Sequence, residues 1–158
     1  MNQAQVIDID SKTNTAQFEA FKKRKDKIPF EELAAFFEKL KPVHTNEMIG
    51  EWKGGYFKSG SLVDLGLKDY GVWKWIGKHY HSEDNVDALM HRAFGREFNI
   101  PFLGDAHIKE VEFRGKVSTG MHYNHLPIVD HFRRVDENTL LGVMDVRGKT
   151  VLYFYLYK

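Results

Sequence analysis

Hydrophobic positions follow a helical period at the N-terminal end of the chain and a two-residue period at the C-terminal end. Residues 1–14 are polar and read as a disordered or frayed lead-in. Residues 15–25 have a helix-forming composition, with Phe18 and Phe21 three apart. The run Lys22-Lys23-Arg24-Lys25 reads as a solvated face; contact with an acidic surface is the other use of such a cluster. A cleaner helix is predicted from Phe30 to about Leu40, where Phe30, Leu33, Ala34, Phe37 and Leu40 form one stripe. Glu31 and Glu32 in its first turn, and Lys39 and Lys41 near its last, suit the helix dipole. Pro42 ends it, and the apolar face must pack on the rest of the chain.

From Met48 onward glycine is frequent and β-forming residues dominate. Residues 52–58 predict a strand leaving a Gly-rich corner, 61–72 have turn composition, and 73–80 predict another strand. Residues 83–93 suit a short helix and a strand equally. Val117, Thr119, Met121 and Tyr123 alternate with Ser118, Gly120, His122 and Asn124, the pattern of a half-buried strand. Further strands are predicted over 107–114, 127–135, 139–147 and 150–157, separated by short turns. Five strands at about ten-residue spacing predict an antiparallel meander.

The last strand carries the architectural inference. Val151, Tyr153, Tyr155 and Tyr157 face one way, and Leu152, Phe154 and Leu156 the other. An antiparallel sheet with one wet side would have one polar face, so this strand is covered on both sides. The fold class expected is α+β: one or two N-terminal helices packed on a closed or nearly closed antiparallel β-barrel, which the resemblance given below makes lipocalin-like. Closure also removes the edge strands. No internal repeat or low-complexity linker interrupts residues 15–158, which read as a single domain.

Composition narrows the function classes. Lys+Arg total 23 and Asp+Glu 22, a balance that argues against a nucleic-acid partner. With no cysteine, disulfides, thiol nucleophiles and Cys-containing zinc sites are excluded. No apolar run approaches a transmembrane length. The N-terminus carries neither a basic nor an apolar signal region, which predicts a cytoplasmic protein. Phosphate-loop, GxGxxG and GxSxG spacings are absent.

Gly50-Glu51-Trp52-Lys53-Gly54 spells GXWXG. It is followed by Gly77-Lys78, by Asp84, Val86, Asp87, Ala88 and Leu89, and by a C-terminal block. That block holds Met121-His122-Tyr123-Asn124, Leu126-Pro127-Ile128, Asp130-His131-Phe132-Arg133 and Leu141 to Asp145. In this order the segments resemble the GXWXG/DUF4334 proteins of bacteria and fungi. The GXWXG part covers about residues 30–95 and the DUF4334 part about 96–158. The family pattern usually carries an acid where this chain has Asn124. The GXW element is also similar to that of lipocalins and nitrobindin-like barrels, where a Gly and a Trp close one barrel end. That resemblance implies a small barrel with a ligand cavity.

Candidate chemistry concentrates on a few positions. Trp52 reads as a barrel plug or pocket floor, or as core packing at a corner between glycines. Asp130 shares a strand face with Ile128 and Phe132, while His131 shares the opposite face with Val129 and Arg133. One of these faces is the interior, so a buried charge there must be paired or shifted. Asp145 is a possible partner for Arg133 or Arg134. Tyr123, Tyr153 and Tyr155, with Phe132 and Phe154, would give an aromatic lining if they point inward. Trp52, Tyr123, Asp130, Phe132, Arg133, Asp145, Tyr153 and Tyr155 are the candidate ligand-binding residues.

The function expected is binding of a small hydrophobic or amphipathic molecule, such as a fatty acid, lipid, terpenoid- or polyketide-like compound. Its alternative is a cofactor-independent isomerase, cyclase or hydratase with Asp130 or His131 as base. The third reading is haem or metal binding through His79-x-His81 or through His107, His122, His125 and His131. No spacing is diagnostic, so no cofactor and no metal ligand are assigned. Monomer and homodimer both stay open.

Overall fold

Capping starts the first helix earlier than its apolar positions suggest. The computed structural model describes residues 2–59 and 74–158. Helix α1 runs Gln3–Lys23, opened by a capping box. The Asn2 side chain accepts from the Gln5 amide, and the Gln5 side chain accepts from the Asn2 amide, both at 2.9 Å. Residues 3–14 are therefore helical, a correction to the frayed lead-in. Two amide donors that would fray the end are satisfied locally. Helix α2 spans Phe30–Lys39 as its stripe predicts, and α3 is one turn, Thr45–Met48.

The strands are β1 (Lys41–Pro42), β2 (Gly50–Tyr56), β3 (Lys74–Ser82), β4 (Asn85–Ala93) and β5 (Arg96–Asn99). They continue with β6 (Asp105–Phe113), β7 (Lys116–Tyr123), β8 (Ile128–Asp136), β9 (Thr139–Val146) and β10 (Lys149–Tyr157). Residues 83–93, ambiguous in sequence, hold β4 because Val86, Ala88 and Met90 alternate inward. The turn expected at 61–72 lies outside the described residues.

Eight of these strands close an antiparallel ring in the order β2-β3-β4-β6-β7-β8-β9-β10, with β10 paired back to β2. The short strands β1 and β5 add to β8 and β4. This is an up-and-down barrel, and eight strands leave a bore just wide enough for side chains or one small ligand.

Two apolar layers follow from strand alternation. Trp52, Trp75, Tyr80, Met121, Phe132, Leu152 and Phe154 belong to the inner core. The outer core joins Phe18, Phe21, Leu33, Phe36 and Phe37 of the helices to Val135, Leu141, Val143 and Tyr153 of the wall. Strand β10 belongs to both, as its two apolar faces require. Phe18 meets Tyr155 edge-on at 5.1 Å, and Phe30 meets Tyr153 at 5.2 Å. Each fully buried aromatic of this kind contributes on the order of 1.5–3 kcal/mol.

Candidate functional site

The GXWXG segment builds one corner of the barrel. Gly50 holds φ +128°, and the Trp52 indole donates to the Met48 carbonyl at 2.8 Å, which ties α3 to the barrel end. Lys158 Nζ lies 4.5 Å from the centre of the Trp52 ring. A Cβ at Gly54 would overlap the Trp75 indole. The second glycine of the motif therefore makes room for an aromatic side chain on the neighbouring strand.

A bulge in β3 then turns a charged residue inward. Trp75 is buried and Ile76 is not, so strict alternation would send residue 78 outward with Ile76. The β3–β4 register instead slips between Trp75 and Gly77. Gly77 takes φ +148°, and a Cβ there would strike the Trp52 carbonyl oxygen. Past the bulge, Lys78 and Tyr80 point into the barrel, both at most 2% exposed. A second slip between Gly77 and His79 accompanies a freed Ala88 carbonyl, which accepts from Lys78 Nζ at 3.0 Å.

Lys78 meets Asp130 and Tyr123 in the interior. Its Nζ lies 3.0 Å from Asp130 Oδ2 and 3.2 Å from the Tyr123 hydroxyl. The Tyr123 hydroxyl is 3.5 Å from the same carboxylate oxygen. Asp130 Oδ1 is buried and accepts no hydrogen bond from a described residue. The rings of Trp75, Tyr123 and Phe154 surround the amine, with centres at 5.6, 5.4 and 5.3 Å. Beside this cluster is a cavity of about 70 Å³, lined by Trp75, Met144, Leu152 and Phe154 together with the three polar side chains.

Burial sets the electrostatics. It pushes Lys78 below the ordinary lysine range, against the pull of Asp130. It pushes Asp130 above the ordinary carboxylate range, only partly offset by Lys78 and by the hydrogen bond from Tyr123. Burial also raises the Tyr123 and Tyr80 hydroxyls well above their usual value. Burial thus works against the charged form of both members of the Lys78–Asp130 pair, while their 3.0 Å contact works for it. The arrangement holds a base, an acid and a hydroxyl within reach of one small volume.

The other sequence candidates occupy different places. Trp52 and Phe132 are in the inner core but do not line this cavity. Arg133 is 1% exposed on the outer face, where Nη1 donates to the Phe37 and Glu38 carbonyls, each at 3.1 Å. Its Nη2 reaches the carbonyls of Phe113 and Arg114, so it ties the C-terminal end of α2 to the β6–β7 turn. Asp145 accepts from the Gly148 amide at 2.7 Å within the β9–β10 turn. Tyr153 and Tyr155 sit under the helices, and the Tyr153 hydroxyl accepts from Arg114 at 2.9 Å.

The histidines lie apart from the cluster. His131 stacks on Phe113 with ring centres 3.7 Å apart, and burial holds it down to about 4. His79 and His81 have ring centres 6.4 Å apart, and His81 pairs with Asp87 at 2.8 Å. Among the described residues no three potential metal ligands gather. Asn124, where the family usually has an acid, bonds His107 at 2.7 Å near the exposed end of β7.

Lys78, Trp75, Met144 and Leu152 were not among the candidate site residues read from sequence, where Gly77-Lys78 stood only as part of the family pattern. A signal was present: a glycine inside a strand pattern marks a bulge, and Gly77 directly precedes the lysine.

Comparisons with known proteins agree with this architecture. Residues 35–95 match the GXWXG protein family, and residues 104–158 match the domain of unknown function DUF4334. A crystal structure of a protein from Thermomonospora curvata is similar, with a TM-score of 0.78 and 33% identity. The match covers 94% of this chain and 98% of that one. No curated protein matches the chain. No helix of the described residues is long and apolar enough to cross a membrane. The barrel, the GXWXG corner and the two matched segments together make this chain a member of the GXWXG/DUF4334 family.

Proposed function

We propose that the protein binds a small, largely apolar molecule inside its barrel and holds one polar group of that molecule at Lys78, Asp130 and Tyr123. The observation that carries this reading is Asp130 Oδ1, buried beside a cavity and without a hydrogen-bond partner among the described residues. Leaving a buried acceptor unsatisfied costs about 1–3 kcal/mol, and a ligand donor recovers it. Burying the Lys78–Asp130 pair also costs more than packing the same volume with hydrocarbon. Both costs are rational at a site that has to recognise something.

The cavity narrows the ligand class. Its volume of about 70 Å³ has room for a few waters or one short organic molecule. Trp75, Phe132 and Phe154 fill much of the remaining bore. This favours a short molecule, or the polar end of an amphipathic one, over a fatty acid enclosed along its length.

A second reading is cofactor-independent acid–base catalysis in the same cavity. It is favoured by the close approach of Lys78 Nζ to Asp130 Oδ2, with Tyr123 in reach of both. Asp130 rather than His131 would then be the base, because His131 stacks outside the barrel wall.

Methyl NMR tests the binding reading. Met144 lines the cavity, whereas Met48 and Met90 do not. With 13C-methyl methionine, titration with 1-propanol and propionamide should shift the Met144 signal saturably. The response should vanish in Leu152→Phe, which fills the space. A Met144 signal that follows bulk solvent, together with a bare polypeptide mass in native mass spectrometry, would remove the binding reading.

A further inference from the structure

We propose that Lys78 is a carbonyl-capturing amine, which condenses reversibly with a small aldehyde or ketone inside the barrel while Asp130 and Tyr123 move the protons. This rests on the reading that the cavity takes a ligand, and adds a substrate class and a covalent step to it.

Four features point to this chemistry. First, the amine borders the cavity and is enclosed by three aromatic rings, away from the water that would hold it as a hydrated ammonium. Second, a proton acceptor stands at bonding distance: Asp130 Oδ2, at 3.0 Å. Third, the Tyr123 hydroxyl, 3.2 Å from the amine and 3.5 Å from the carboxylate, bridges the two groups between which a proton must travel. Fourth, the cavity of about 70 Å³ has room for a carbonyl with a short apolar substituent but not for a bulky one. A lysine desolvated in an apolar pocket is a recognised route to a nucleophilic amine.

A contrasting lysine shows what the cluster adds. Lys116 is also lowered by burial, but its Nζ donates to the Glu38 and Leu40 carbonyls at 3.0 and 2.9 Å. No carboxylate bonds it among the described contacts, so it has no acceptor for the proton it must lose. Lys78 combines the amine, the base and the space.

The step balances without any further reagent. Asp130 takes a proton from the Lys78 ammonium, leaving a lone pair on Nζ. Nζ attacks the carbonyl carbon, a C–N bond forms, and the carbonyl oxygen receives a proton to become a carbinolamine hydroxyl. Tyr123 and the protonated Asp130 are the donors and relay for these transfers. The second amine hydrogen then leaves as the C–O bond breaks and the hydroxyl departs as water. The product is an imine, and hydrolysis runs the same steps backward. Nothing is oxidised or reduced.

The test is reductive trapping on the full chain. Wild-type protein is incubated near neutral pH with about one equivalent of propanal and sodium cyanoborohydride, then peptide-mapped. The expected result is a propyl group on Lys78 ahead of the exposed lysines, with loss of that label when 1-propanol occupies the cavity. Asp130→Asn should lower the labelling of Lys78 and leave surface labelling unchanged. Label spread over surface lysines with Lys78 unmodified would overturn the proposal. If Met144 still answers 1-propanol in that case, the binding reading survives and only the covalent step falls. If neither responds, both fall.

Discussion

Lys78→Met replaces the buried amine by an apolar chain of similar length, and its cost can be worked from the contacts it removes. The Ala88 carbonyl loses its donor at 3.0 Å, and Asp130 loses its counter-charge at 3.0 Å. Removing one member of a buried pair costs about 3–5 kcal/mol. The lower end applies, because burial already pushes Asp130 up and its carboxyl can take a proton and stay neutral. The expected loss is about 3 kcal/mol, a large share of the roughly 5–15 kcal/mol typical of a domain. Asp130→Leu leaves an ammonium among rings and should cost at least as much. The double variant removes both charges and should return to within about 1 kcal/mol of wild type, or exceed it. Urea unfolding followed by tryptophan fluorescence and circular dichroism measures all four proteins. Additive single costs, with a coupling below about 0.5 kcal/mol, would refute the coupled pair.

Three further outcomes are expected. Gly54→Ala places a methyl in the Trp75 indole, so it should cost about 1–3 kcal/mol of overpacking and change the intrinsic fluorescence, both read in one urea titration. Arg133→Met strips the charged donor from the last carbonyls of α2 and should cost about 1.5–3 kcal/mol per critical bond. The Met144 response to 1-propanol should be unchanged in its folded fraction; loss of that response would return Arg133 to the binding site. The third outcome concerns His131, whose folded pKa is held down to about 4, below its ordinary 6.5. The stability from keeping it neutral is present above the ordinary value and is lost as pH falls through about 4. His131→Phe keeps the stack on Phe113 without the proton site. Wild type should therefore lose stability relative to that variant across this window. The slope is at most about 1.4 kcal/mol per pH unit, less for the exposed part of the ring. Parallel stability curves would refute this assignment.

Much of the fold was legible because strand parity is a strong signal. The two apolar faces of β10 required cover on both sides, and the structure supplies the barrel core inside and the α1–α2 layer outside. The sequence also separated Asp130 and Phe132 from His131 and Arg133 correctly as opposite faces, but had no means of saying which face was inside. Arg133 is the instructive case. A charged residue in an apolar strand must be satisfied, and carbonyls at a helix end do that as well as a ligand carboxylate. Lys78 was seen only as part of the family pattern and not as an interior residue, because alternation from Trp75 points it outward and only the slip at Gly77 reverses that. Cavity size was illegible for another reason: it is the difference between the bore of a closed ring and the volumes that fill it, and neither is a property of one strand.

The GXWXG motif and the buried lysine are parts of one construction. In the β2–β3 ladder Trp52 is paired with Lys78, and Lys53 with Gly77. Gly54 vacates the space that Trp75 fills, and Trp75 walls the cavity beside the amine. The bulge at Gly77 fits only because its Cα carries no side chain to meet the Trp52 carbonyl. The motif thus sets the position of Nζ as well as tying α3 to the barrel end. Gly115 provides the control: its φ is also positive, at +80°, but nothing lies near its missing Cβ. Gly115→Ala should show the backbone cost alone, on the order of 1 kcal/mol. Gly77→Ala should add a steric cost of about 1–3 kcal/mol. In its folded fraction the selective propanal labelling of Lys78 should fall, while Gly115→Ala leaves it intact. Equal stability losses with equal labelling would show that the bulge does not aim the amine, and would separate the motif from the chemistry of Lys78.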